Sequence, residues 1–188
     1  VIIPASRKEI INSRMNFGET IPFVKVSSGN LLEVDINFSV DYKPSEDSII
    51  VSELLNDIIK VRLGEIYFYT LDSVSFLIHL CGHLYKEATT YNWVRTQRDL
   101  MLYKFSDINV FLHKFGSTDF LEKLNLKIKE LGMEKPCYYT FENSSIIYPS
   151  LNDIEGFEEL KNTIKPNDIS FMKEIVDPQR KCTLYYNM

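Results

Sequence analysis

The stretch GNLLEVDINFSVDY, residues 29–42, carries two carboxylates, Glu33 and Asp35, two positions apart and so on one side of an extended chain. A carboxylate held on the polar side of a strand can bind Mg2+ and, through it, a triphosphate. The strand fixes the oxygen and the open face admits substrate. Asp35 is therefore the first candidate catalytic residue and metal ligand, with Glu33 as a second ligand for the same ion. The plainer alternative is that both acids meet water or brace a turn. A Glu-x-Asp pair also falls short of the carboxylates, from more than one strand, that a phosphoryl-transfer metal site uses.

HLCGH is the second constellation. His79 and His83 stand four apart, and Glu87 four further, so all three project from one helical face. Histidines at that spacing can chelate zinc. A hydrolytic H-E-x-x-H site, however, needs glutamate directly after the first histidine, where this chain has Leu80. Glu87 is two turns from His79, ~12 Å along a helix axis, too far to share its ion. A histidine hydrogen-bonded to a carboxylate of the neighbouring helix fits better, with Asp99 and Asp107 as available partners.

NWVRTQRDLMLYKFSDI mixes Arg95, Arg98 and Lys104 with Trp93 and Tyr103. Arginine offers bidentate donors to phosphate, and aromatic rings can stack on a base. The same composition also describes a helix with a solvated basic edge and an aromatic core edge. Gly116-Ser117 has the composition of a phosphate-binding Gly-Ser turn, but no Asp-x-Asp follows it. It reads as the junction of two helices.

These residues need elements to hold them. PASRKEIINSRM reads as a short helix with Ser6 and Glu9 at capping-box spacing. TIPFVKV and LLEVDINFSV read as a hairpin joined by SSGN, with Leu32, Val34, Ile36, Phe38 and Val40 on the buried face. SEDSIIVSELLNDIIKVRL looks helical from a Ser45 or Asp47 cap, and EIYFYTL strand-like. From Asp72 the period becomes helical, with Val74, Leu77, Ile78, Cys81, Leu84, Tyr85 and Ala88 on one stripe. A helical signal continues from Asn92 to Phe115, with Val94, Leu100, Met101, Phe105, Ile108 and Leu112 apolar. A further amphipathic helix runs from a Ser117 or Thr118 cap to Gly132. Signals weaken after Pro136; IEGFEELKNTI forms one more helix, and the last ~20 residues are expected to pack loosely. The expectation is an α+β fold, with a small antiparallel or mixed sheet in residues 1–71 and a helical bundle in residues 72–188.

Composition bounds the partners. The chain has 188 residues, 45% of them hydrophobic and 25% charged, enough for one sizeable core or for a small α/β unit plus a helical one. A net charge of −5 argues against nucleic acid held by bulk charge. The most apolar run, SVSFLIHLCGHLY, is far short of the ~20 residues that span a bilayer. Cys81, Cys137 and Cys182 are scattered and odd in number, as expected of reduced thiols in a cytoplasmic protein.

Taken together, VDINFSV, YTLDSVSFLIHLCGHLYKEA and DLMLYKFSDINVFL resemble the uncharacterised nucleotidyltransferase family of the polymerase-beta-like superfamily. In that pattern a hydrophobic-Asp-hydrophobic-His-aromatic strand precedes a helix with an LLxHLCxH run and another with a hydrophobic-Asp-Ile pattern. Asp35 matches the strand aspartate, Phe38 the aromatic position, His79 and His83 the helix histidines, and Asp107 the later aspartate. The resemblance implies transfer of a nucleotidyl group from a nucleoside triphosphate to a hydroxyl acceptor. Three carboxylates and Mg2+ would align the reactants, Asp35 being the carboxylate nearest the attacking oxygen. It also gives the histidines a structural role, His83 bonding to Asp107 and tying two helices together. Asn37 stands where the family has histidine, and the chain contains no Asp-x-Asp. The expectation is a C-terminal part of such a transferase, inactive alone. The alternative is a non-catalytic binding module on a degenerate transferase fold.

Overall fold

Ser6 starts the first helix, α1 (Arg7–Phe17), as its spacing predicts. The Glu9 amide donates to the Ser6 hydroxyl at 3.3 Å, and the Ser6 amide donates to the Glu9 carboxylate at 2.7 Å. The structure is a computed structural model describing residues 5–17, 19–27, 29–40, 51–177 and 182–185. The proposed Ser45 and Asp47 caps lie outside the described residues.

β1 (Phe23–Ser27) and β2 (Asn30–Val34) form the expected antiparallel hairpin, with Gly29 at φ +80° in the reversal. The expectation of one buried face does not hold. Leu32, Val34 and Ile36 are 54%, 56% and 45% exposed, because among the described residues nothing covers either side of this two-stranded ribbon. Burial begins only at Ser39 and Val40.

β2 also ends sooner than the alternation suggests. The chain past Val34 turns to pair with the α1–β1 connection. There the Thr20 amide donates to the Ile36 carbonyl at 2.8 Å, and the Ile36 amide donates to the Thr20 hydroxyl at 3.1 Å. A single bridge joins Glu19 to Asn37.

The helical reading of residues 45–63 is corrected from Ile58 onward. α2 (Val51–Leu54) and one 3-10 turn (Leu55–Asp57) lead into β3 (Ile58–Leu63), which pairs antiparallel with β4 (Ile66–Leu71). Ile58, Ile59 and Val61 are β-branched, and Gly64 at φ +61° lets the chain reverse onto the aromatic strand. A strand partner outweighs the local helical pattern.

Asp72 caps α3 (Ser73–Thr89) by accepting from the Val74 and Ser75 amides at 2.8 and 3.3 Å. Its stripe of Leu77, Ile78, Cys81, Leu84, Tyr85 and Ala88 is buried, as the periodicity predicts. The continuous helix expected from Asn92 is instead two, α4 (Tyr91–Arg95) and α5 (Leu102–Phe115), and Leu100 and Met101 between them are exposed. α6 (Thr118–Glu130) begins at the Ser117 cap, and the turn after it has Gly132 at φ +64°.

α7 (Glu134–Ile147) has no clear sequence signal, yet it packs extensively on α3. Pro136 sits in its first turn, where the missing N–H costs nothing. Thr140, Ser144 and Ser145 are buried along with the apolar residues, so no amphipathic stripe marks it. α8 (Phe157–Ile164) follows. The tail is not loose throughout: Phe171 joins the core, and β5 (Glu174–Asp177), paired with β6 (Cys182–Tyr185), buries Ile175. The fold class is α+β: small antiparallel hairpins and a bundle-like helical C-terminal region. Among the described residues no helix is long and apolar enough to cross a membrane.

Candidate functional site

A cleft of about 630 Å3 opens between two walls. One wall is the α1–β1 connection with the chain just after β2; the other is the C-terminal half of α3 together with α4. Such a volume suits a small-molecule ligand. Asp35 and Asn37 line the first wall. Glu33 does not line the cleft, although it neighbours Asp35 in sequence: it lies within β2 and pairs with Val24, whereas Asp35 follows the strand's end.

His83, Lys86 and Glu87 present the facing side of α3. Lys86 is buried, and its Nζ stands 3.4 Å from Glu19 Oε2, joining α3 to the chain before β1. His83 Nδ1 lies 3.8 Å from Glu87 Oε1. Glu87 also pairs with Lys104 of α5, each side chain only 11% exposed. Burial lowers the Lys104 ammonium's pKa.

The tie between α3 and α5 is therefore made by Glu87 and Lys104. Asp107, expected to bond His83, sits exposed on α5. Residue 107 is three positions after Lys104, so the two side chains leave the helix about 60° apart, and only Lys104 faces α3 at this level.

His83 is pushed down to about 4, by desolvation first, then by the charge of Lys104, by repulsion from His79 when that ring is protonated, and by the charge of Lys86. One edge of the ring opens to the cleft, leaving 49% of the side chain accessible, yet the ring sits in a concave, cation-rich wall that opposes protonation. His79 is lowered too, by desolvation first and then by Lys86. Both imidazoles are neutral at pH 7.

α4 ends in a turn that shapes the far side of the cleft. The Gln97 amide donates to the Val94 carbonyl at 3.0 Å, and the Arg98 amide donates to the Trp93 carbonyl at 2.9 Å. This paired closure normally places glycine in the left-handed position; here Gln97 occupies it, at φ 56°. The turn returns Arg98 over Trp93, its guanidinium carbon 5.4 Å from the ring centroid. Trp93, Arg95 and Arg98 all line the cleft. The mixed basic and aromatic segment thus divides. Its first part faces the cleft, whereas Lys104 turns inward to Glu87.

The carboxylates of the cleft do not by themselves fit a divalent cation. Of Glu19, Asp35 and Glu87, the two glutamates are already paired with lysines, leaving Asp35 without an ion pair among the described residues. Among the described residues no group of three or more His, Cys, Asp or Glu side chains is placed to hold a metal ion.

Sequence reasoning passed over Glu19 and Lys86. The signal for Lys86 is present: His79, His83 and Lys86 follow the i, i+4, i+7 pattern of one helical face. Glu19 has none, since only the pairing of distant segments brings it to the cleft.

No curated protein and no solved structure matches the chain. A family model described as an uncharacterised nucleotidyltransferase matches residues 12–149, a span that takes in both cleft walls. That match covers well over half of the 188 residues, and the chain belongs to the uncharacterised nucleotidyltransferase family.

Proposed function

We propose that this chain serves Mg2+-dependent transfer of a nucleotidyl group from a nucleoside triphosphate to a hydroxyl acceptor. In this reaction the acceptor oxygen attacks the α-phosphorus, the bond to the bridging oxygen breaks, and pyrophosphate leaves with that electron pair. Asp35 takes the proton from the attacking hydroxyl. The observation that carries this reading is the cleft itself. Asp35, the carboxylate with no cationic partner among the described residues, faces Lys86, Arg95 and Arg98 across about 630 Å3.

A divalent cation, when bound, supplies charge neutralisation on the triphosphate. Asp35 alone does not build its site among the described residues, and on this reading further carboxylates complete it. The chain contains no Asp-x-Asp, and on this reading it does not turn over substrate by itself. The same absence favours the second reading, a non-catalytic nucleotide-binding module.

Pyrophosphate release with Mg2+ and each nucleoside triphosphate separates the two. The 188-residue chain and any longer product of its reading frame are compared, each as wild type and as Asp35→Ala. A silent short chain, with turnover in a longer product that Asp35→Ala abolishes, supports transfer. Turnover unchanged by Asp35→Ala removes Asp35 from the chemistry. Nucleotide binding without turnover in every form supports the binding module.

A further inference from the structure

Trp93 is the only tryptophan of the chain, and it stands in the wall of the cleft. Arg98 lies over its ring at 5.4 Å, held there by the turn at Gln97. A left-handed backbone is unfavourable for a residue with a Cβ. Here it is kept where it returns a guanidinium to the indole. Arg95, two residues after Trp93 and exposed, forms no ion pair among the described residues and lines the same cleft. Indole offers a broad apolar face, and guanidinium offers planar donors that match phosphate oxygens in pairs. Asp35, on the opposite wall, repels phosphate and so directs it towards the arginines.

We propose that this cleft binds a purine nucleoside triphosphate, its base stacked on Trp93 and its phosphates held by Arg95 and Arg98, before any divalent cation or acceptor arrives. The ligand class rests on the nucleotidyltransferase reading above; the subsite rests on these three side chains. Purines are preferred because stacking strength grows with the shared π-surface, and a two-ring base covers more of an indole than a one-ring base does.

The single tryptophan supplies the readout. The 188-residue chain is titrated with ATP, GTP, CTP and UTP in EDTA, following the intrinsic fluorescence of Trp93. Saturable quenching is expected, with purines binding about five-fold or more tightly than pyrimidines. Equilibrium dialysis extends the test to Trp93→Ala, expected to weaken ATP about ten-fold, and to Trp93→Phe, expected to stay within about three-fold. Arg95→Gln and Arg98→Gln weaken ATP by about ten-fold each and leave adenosine unchanged. Trp93→Phe and the Arg→Gln variants keep the outcome readable if Trp93→Ala fails to fold.

Asp35→Ala binds ATP in EDTA at least as tightly as wild type. Equal affinity for all four nucleotides, an unquenched Trp93 at saturating ATP, or full ATP affinity in Trp93→Ala each overturns the proposal. Turnover lost with this binding intact tells against the transfer reading alone. Asp35-dependent turnover without this binding tells against the subsite alone.

Discussion

Gly82 of α3 and Val40 occupy one space. A Cβ built on Gly82 would overlap Val40 Cγ1 and stand 2.9 Å from Met133 Cε. Val40 is 5% exposed and anchors the chain five residues beyond Asp35. The missing side chain at position 82 thus seats the segment that brings Asp35 and Asn37 to the cleft, beside His83. Gly82→Ala is expected to destabilise the fold by about 2 kcal/mol, since Val40 is packed side chain close to its own backbone and cannot swing clear. Gly82→Ala/Val40→Ala is expected to recover part of the loss. Urea denaturation of wild type and the two variants checks this; equal loss in the single and double variants would show that Val40 is not the obstacle.

Glu87 and Lys104 are a second pair whose value lies in being kept together. Glu87→Ala leaves a partly buried ammonium without its carboxylate and is expected to cost about 2 kcal/mol. Glu87→Met/Lys104→Met removes both charges and is expected to cost clearly less than either single change. Thermal and urea unfolding of wild type, Glu87→Met, Lys104→Met and the double variant give the coupling energy, and additive single effects would contradict a coupled pair.

The pH dependence of stability follows from His83. Its ordinary value is 6.5 and its folded value about 4, so between the two the unfolded chain takes up a proton that the folded chain refuses. Stability is therefore full above pH 6.5, falls as pH drops towards 4, and loses nothing further from this group below that. Half of the side chain reaches solvent, and screening holds the loss to about 1 kcal/mol. The difference in unfolding free energy between wild type and His83→Gln isolates it: the gap is expected to change between pH 7 and pH 4.5. A gap that stays constant, or a His83 ring titrating near 6.5 by NMR, would contradict the assignment.

Gln97 carries a backbone conformation that glycine adopts freely. Gln97→Gly is expected to raise stability by about 0.5–1 kcal/mol, the relief at φ 56° exceeding glycine's added freedom in the unfolded chain. Gln97→Val, β-branched at the same position, is expected to lower stability and displace Arg98 from Trp93. Unfolding midpoints, with the Trp93 fluorescence of the native state as a local reporter, measure both.

Much of the local structure was legible because its causes are local. Ser6–Glu9 and Ser117 cap helices through groups within three residues, and the α3 stripe follows from helical period alone. Where distant partners decide, the pattern misleads. Residues 58–63 look helical until β4 pairs with them, and the apolar alternation of β2 suggests a core that is not there among the described residues. α7 is hidden for the opposite reason: a helix buried on polar and apolar sides alike has no stripe to read.

By itself, the sequence determined the α+β class and the family resemblance, because strand period, capping and short motifs act over a few residues. Only the tertiary structure decided which charges meet. It parted Glu33 from Asp35, gave Glu87 to Lys104 rather than His83 to Asp107, and set Glu19 against Lys86. It also turned Arg98 back onto Trp93. Electrostatic partners are chosen by distance in space and by the water left between them, and neither quantity is written in the spacing of residues along a chain.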